Sequence, residues 1–322
     1  LIILSCALGI GATETFKKLI EQVSGLKAGL DFHLAYSPVP FPDEQNLETL
    51  KGYKRIVAAV DKNSLELASS FLQAVTPAGL FKTYDLKAAE AAVIFTSVCR
   101  HAEAALAHEF SLLCERAGLD YFTIYKIMSL FSSYEHFKPT VSYEDQLGLL
   151  FIEEAENLNV KLRIASAALN VNGESYKHVV KLVRESLRKC GKSIRRAKIV
   201  ILGGSQTPNV ADVPKTSLEK LTNVLASRGA KIKIYDPHLS SKATADFSHM
   251  SLERSFKKAL EGIDCIIVLT GHEQFRRLNL NKIKLLARMP AAIVDLEGII
   301  EPQKAEAAGF VYRGLGRGVW TR

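Results

Sequence analysis

The chain has 322 residues, 48% of them hydrophobic, and its 42 basic residues against 34 acidic ones give a net charge of +8. That length sets an expectation of two or three domains, each with its own core. No apolar run reaches the ~18 residues that a membrane-spanning helix requires. Five scattered cysteines, Cys6, Cys99, Cys114, Cys190 and Cys265, form no C-x-x-C pair. Such usage excludes a disulfide framework, gives no metal-ligand spacing, and fits reduced thiols in a cytoplasmic protein.

The chain opens on LIIL, which reads as a strand. No basic segment or cleavage site follows it, so it is not a secretory leader, and the expectation is that the sequence starts inside a longer chain. From Leu1 to about Leu86 strands alternate with helices, as in an α/β layer. The strands are LIILSC, DFHLAYS, RIVAAV and LFKTYDL, and the helices are ATETFKKLIEQVSG and SLELASSFLQAV. The proline-rich SPVPFPDEQN between them is a loop. From about Lys87 to Cys190 strand signals vanish. A long Ala-rich helix ends at Gly118. A shorter helix, DYFTIYKIMSLF, and a loop through SSYEHFKPTVSYED follow. A second long helix runs to Cys190, with Gly173 as a point where it could bend or break. From Ala197 onward strands and helices alternate again: KIVILGG, KIKIYDP, CIIVLTG, AAIVDLEG and FVYRG read as strands buried on both faces of a parallel sheet.

Two local features ask for function. KIVILGGSQTPNVAD is a strand followed by Gly203 and Gly204, but the third glycine of a G-x-G-x-x-G phosphate loop is missing. Eight basic residues fall between Lys181 and Lys198 against a single acid, Glu185. They either attract anions or suit the negative end of a helix dipole. No aromatic residues interleave with them as stacking platforms.

The order α/β, helical, α/β, together with the phrases RIVAAVDKNSLELA, AHEFSLLCERAGLD, SRGAKIKIYDPHL, CIIVLTGHEQFRRLN and AEAAGFVYRGLGRG, resembles the UDP-glucose/GDP-mannose (nucleotide-sugar) dehydrogenase family over essentially the whole chain. The look is nearest to the UDP-N-acetylmannosamine and UDP-glucose 6-dehydrogenases. The resemblance implies two Rossmann-like parallel-sheet domains joined by a helical dimerisation domain. Residues 1–86 would be the remainder of an NAD-binding domain whose own phosphate loop lies upstream. Residues 87–195 would be the helical domain, and 196–322 a UDP-sugar-binding domain. It also implies NAD as cofactor, a UDP-sugar as substrate, and a homodimer through the central helices. Neither a nucleic acid nor a membrane partner is expected.

In that family NAD-dependent oxidation turns a sugar C6 alcohol into a carboxylate. A cysteine thiolate captures the aldehyde, and a lysine and an asparagine stabilise the oxyanion. The family phrase A-E-x-x-K-x-x-x-N aligns with Ala89 to Ser97. It keeps Glu90 but puts Val93 at the lysine and Ser97 at the asparagine. The nucleophile loop aligns with KPTVSYED, which keeps Asp145 as the catalytic aspartate and puts Val141 at the cysteine. Ser5 and Cys6 stand at a cofactor-contacting phrase. Ser37-Pro38-Val39 replaces S-P-E, with Asp43 as a substituting substrate acid. At the glycine pair, Pro208 and Asp212 remain, while Thr207, Ala211 and Pro214 replace a lysine, an aspartate and an arginine. Glu297 replaces a basic residue, and Arg313 and Arg317 are candidate anion contacts on the substrate side, with Arg276 adding positive charge.

Three readings stand open. The chain is a catalytically silent relative that scaffolds, partners an active subunit or senses a nucleotide sugar. Alternatively it is a working UDP-sugar dehydrogenase serving glycan precursors. The third is a reused fold with Tyr143, Glu144 and Asp145 as a new acid/base cluster.

Overall fold

The structure is a computed structural model, and it describes residues 1–39, 52–131, 138–141, 146–205, 207–210, 216–239 and 250–320. The chain divides into two compact units. One comprises Leu1–Arg100 with Asp145–Ser166, and the other His101–Glu144 with Ala167–Arg322.

The first unit holds a four-stranded sheet in the order β1 (Ile2–Leu4), β2 (Leu34–Tyr36), β3 (Arg55–Ala59), β4 (Leu80–Thr83). The β1/β2 and β3/β4 pairs are parallel. The β2/β3 pair is antiparallel, so this sheet is mixed where the sequence suggested a purely parallel one. Side-chain alternation splits its strands between two faces. Ala35, Val57 and Ala59 pack on Leu65, Ala68 and Leu72 of α2 (Lys62–Gln73). Tyr36 and Ala58 face Leu86 and Ala89 at the start of α3 (Leu86–Ala117). Local chemistry starts each helix. Asp61 caps α2 by accepting from Ser64 N at 2.9 Å, and Asp85 accepts from Ala88 N in the first turn of α3. The start of α1 (Ala12–Ser24) takes its carboxylate from far along the chain, because Gly11 N and Thr13 N both donate to Glu90, at 2.5 and 2.7 Å. A helix α5 (Gln146–Asn157) belongs to this unit. Its Leu147, Leu150 and Phe151 join Val93 and Ile94 in one apolar cluster.

In the second unit all six strands are parallel, in the order β10 (Val311–Gly314), β9 (Ala292–Asp295), β8 (Cys265–Val268), β5 (Lys198–Leu202), β6 (Lys231–Tyr235), β7 (Met250–Leu252). Read in chain order from β5, this is the 3-2-1-4-5-6 order of a dinucleotide-type Rossmann sheet. Alternate residues serve two cores. Ile199, Ile201, Cys265, Ile267 and Val294 pack on α6 (Arg163–Lys189) and α7 (Thr216–Ser227) through Val179, Val183, Leu187, Leu218 and Leu221. Val200, Leu202, Ile266, Val268 and Ile293 pack on the other face. Their partners there are Ala259 and Leu260 of α8 (Phe256–Leu260), Phe275 of α9 (Glu273–Arg276), Ile283 of α10 (Leu280–Leu286) and Ala305 of α11 (Pro302–Ala307). Each fully buried Leu or Ile contributes about 1.5–3 kcal/mol, and that is why α6 runs unbroken through Gly173.

The turn from α3 to α4 (Tyr121–Phe131) receives the carboxy-terminal loop. Tyr121 N donates to Gly316 O, Gly318 N to Leu119 O, and Gly316 N to Glu115 Oε1. A Cβ on Gly318 would lie 2.1 Å from Cys114 O, so only glycine lets the two backbones meet. Glu115 also pairs with His178 at 2.9 Å, and the His178 ring meets His108 edge to face at 5.8 Å. Burial, with His178 adding to it, pushes the His108 imidazole down to about 4, and its Nδ1 has no hydrogen-bond partner.

A neutral His108 is therefore part of the fold. Unfolded, the ring takes up a proton near pH 6.5; folded, only near pH 4. Its contribution is complete above about pH 6.5 and is lost as the pH falls through that window, on the order of 3 kcal/mol in all. Thermal melts at pH 7 and pH 4.5 should show the drop, and His108→Phe should reduce it.

Candidate functional site

In a sheet of this order the ligand crevice lies at the carboxyl ends of the strands, where β5 and β8 send their chains to opposite sides. Gly203 follows β5 with φ +81, and a Cβ there would stand 2.6 Å from Thr270 after β8, so the two loops touch only through a glycine. Gly204 is no open cradle either. The place of its Cβ is filled by Leu218, at 3.1 Å, with Leu239 and Ile234 close behind.

The backbone donors of this loop meet a carboxylate from the protein itself. Asp236, just after β6 and buried, accepts from Gly204 N at 2.7 Å and Ser205 N at 2.8 Å on one oxygen. On the other it accepts from His238 N at 2.7 Å and Leu239 N at 3.0 Å. His272 Nε2 adds a further donor at 3.1 Å. Burial works against the charge, but these donors outweigh it and hold the Asp236 carboxyl well below the usual carboxylate range. Asp236 thus occupies the N–H groups that a bound phosphate would use.

Ser205, His272 and Asp236 look like a nucleophile, a base and an orienting acid, yet they cannot act as one. His272 Nδ1 accepts the backbone N–H of Asn209 at 2.9 Å, so that nitrogen carries no proton and Nε2–H donates to Asp236. Ser205 Oγ lies 3.3 Å from the same Nε2, not from the opposite nitrogen, and also donates to Thr207 O. A proton relay needs Ser and Asp on different ring nitrogens. The trio instead pins three loops together, and Asn209 Oδ1 extends the lock to Glu273 N at the start of α9.

The remaining sequence candidates fall as follows. Arg317 donates to both carboxylate oxygens of Asp120 at 3.0 Å, stacks over Phe122 at 4.3 Å and reaches Gly298 O. Arg313 is buried and donates to the Tyr312 and Trp320 carbonyls. Glu297 lies against Gly271, and Arg276 is exposed beside Glu273. In the first unit Ser5 and Cys6 are exposed at the end of β1, and Val93 and Ser97 are buried on α3. In the second, Val141 is 4% exposed and sits in the core with Val179 and Val183. Among the described residues, five buried hydroxyls of the first unit have no partner, on Thr13, Tyr36, Ser37, Ser69 and Thr76. Burial and the nearby Glu90 push the Tyr36 phenol up. Asp43, Tyr143, Glu144, Asp145, Ala211, Asp212 and Pro214 lie outside the described residues. Among the described residues no cluster of three or more His, Cys, Asp or Glu could hold a metal, and no helix is long and apolar enough to cross a membrane.

Asp236 was not singled out by the sequence. Its signal was there, as the acid of Y-D-P closing the second strand of a β-α-β unit. Residues 200–302 match the UDP binding domain of the UDP-glucose/GDP-mannose dehydrogenase family. The carboxy-terminal domain belongs to that family. A UDP-N-acetyl-D-mannosamine dehydrogenase from Pyrococcus horikoshii is 26% identical over 99% of this chain and 73% of its own length. One from Methanococcus maripaludis is 28% identical over 95% of this chain and 69% of its own. The fold agrees with a solved UDP-D-ManNAc dehydrogenase from P. horikoshii (TM-score 0.84, 23% identity, 99% of this chain and 73% of that one). It also agrees with an NDP-N-acetyl-D-galactosaminuronic acid dehydrogenase from Methanosarcina mazei (TM-score 0.83, 23% identity, 100% and 70%).

Removing the Asp236 carboxylate leaves its backbone donors buried without an acceptor. Asp236→Ala should cost on the order of 3 kcal/mol or more. Ser205→Ala should cost no more than about 1 kcal/mol. Chemical denaturation of the two variants measures both.

Proposed function

We propose that this chain is a catalytically silent nucleotide-sugar dehydrogenase homologue that keeps a weak hold on a UDP-sugar. The observation that carries the reading is the buried, apolar setting of two positions where the family places chemistry. Val93 packs with Ile94 and Leu147, and Val141 with Val179 and Val183. Neither supplies an ammonium or a thiolate, and no hydrogen-bonding side chain of that kind could enter those clusters without repacking. Loss of one oxyanion donor costs about 3 kcal/mol of barrier, and loss of the nucleophile removes the thiohemiacetal route altogether. The weak hold follows from Asp236, which keeps the Gly204 and Ser205 N–H groups from a diphosphate, and from Arg317, which is engaged by Asp120. The free thiols suit a cytoplasmic setting.

A second reading, a working NAD-dependent UDP-sugar 6-dehydrogenase, is favoured by similarity over nearly the whole chain to relatives bearing such names. In that case NAD would supply a hydride acceptor. The Thr13, Tyr36 and Ser37 hydroxyls fit its uncharged nicotinamide end as hydrogen-bonding groups. The α1 start does not fit its diphosphate, because Glu90 already takes those N–H groups. Purified protein with NAD and UDP-glucose or UDP-N-acetylmannosamine should produce no steady NADH absorbance. Calorimetric titration of the same sugars at low salt should give binding no tighter than about millimolar, as two missing charge-assisted contacts imply. Sustained NADH formation establishes the second reading.

A homodimer through the central helices is part of the same proposal. On α3, Leu106, Phe110 and Leu113 recur at helical spacing and are all exposed, as are Leu130 and Phe131 closing α4. A contiguous apolar stripe of this kind marks an interface. Light scattering at micromolar concentration should give twice the chain mass, and Phe110→Lys with Leu113→Lys should halve it.

A further inference from the structure

The edge of the six-stranded sheet at the amino ends of its strands, opposite the Asp236 loops, is strongly basic. Lys198 and Lys231 open β5 and β6, face each other in register and are both exposed. Exposed Arg195 and Arg196 precede β5, and exposed Arg228 precedes β6. The two turns meet, since Arg196 N donates to Gly229 O at 2.7 Å and Arg195 Cγ lies 3.3 Å from the place of a Gly229 Cβ. The fold uses other cations nearby. Lys192 and Arg288 both pair with the buried Asp264 at 2.8 Å, and Lys233 pairs with Glu253. Among the described residues Arg195, Arg196, Lys198, Arg228 and Lys231 have no carboxylate partner. Five cations without a carboxylate partner thus stand on two touching turns.

An apolar group stands on the same edge. Lys198 Nζ approaches Gly262, whose N–H donates to Leu286 O at 2.7 Å. The adjoining Leu285 is 84% exposed and follows the exposed Lys284. A row of lysines and arginines beside one protruding leucine suits a surface that is anionic outside and apolar just beneath.

We propose that this edge docks peripherally on an anionic lipid bilayer. This departs from the expectation of no membrane partner, which rested on the family resemblance; such attachment needs no spanning helix and is independent of whether the nucleotide-sugar site is active. Each basic side chain near an anionic leaflet adds about 1 kcal/mol of attraction, so five give strong but salt-sensitive binding. A single-stranded nucleic acid fits less well, because no aromatic side chain stands among these residues to stack on bases.

Co-sedimentation of the full chain with phosphatidylcholine vesicles, with and without about one-third phosphatidylglycerol, tests the proposal. The expected result is binding to the anionic vesicles alone and release by added salt. The triple variant Arg195→Gln, Lys198→Gln, Lys231→Gln should bind on the order of a hundredfold more weakly, while melting no lower than the parent chain because like charges have been removed. Leu285→Ser should weaken vesicle binding at unchanged charge. The proposal is overturned by equal binding to neutral vesicles, by no binding at low salt, or by a triple variant that binds as well as the parent. It is also overturned if duplex DNA displaces the vesicles and Leu285→Ser binds them as well as the parent does.

Discussion

The carboxylate of Asp236 is the constraint on which the carboxy-terminal sheet depends. Backbone N–H groups of two segments, together with an imidazole from a third, converge on two buried oxygens. In a Rossmann sheet the loop after the first strand is where free N–H groups collect, and an anion must be found for them. This chain supplies that anion from its own second strand. Glu90 does the same for α1 in the other unit. The consequence in both places is a preorganised loop whose N–H groups are held by a carboxylate of the chain itself.

Polar side chains at these loops therefore face inward. His272 has both nitrogens engaged, Arg317 spends its guanidinium on Asp120, and Asp295 accepts from Glu297 N, Ile300 N and the Tyr312 hydroxyl. Burial raises the Asp295 carboxyl, with the nearby Glu297 charge adding to it, the opposite direction from Asp236. Two buried carboxylates of the same sheet are thus set apart by depth of burial, neighbouring charge and donors together.

The parallel strands of the second unit were legible in the sequence because KIVIL, CIIV and AIVD are apolar without interruption, as strands covered on both faces must be. The order of those strands was not legible, since periodicity reports burial and not neighbours. The antiparallel β2/β3 pair was hidden for the same reason. At the sites, the proposed alignment of Val93, Ser97 and Val141 with the family's lysine, asparagine and cysteine rests on the resemblance alone. The inward commitments of Arg317 and Asp236 were not legible, because each depends on residues brought near only by folding, as Asp120 is to Arg317 across 197 positions and Gly204 is to Asp236 across 32.

The strand order also governs how the second unit can form. The central pair β5/β8 is bridged by Lys198 N donating to Asp264, 66 positions away, with β6, β7 and their helices lying between the two strands in the chain. Contacts this distant in sequence are slow to close. Until β8 arrives, the apolar edge of β5, with Ile199 and Ile201, stays open to pairing with another chain. Assembly of this unit is thus a race between closure within the chain and association between chains, and the winner depends on protein concentration.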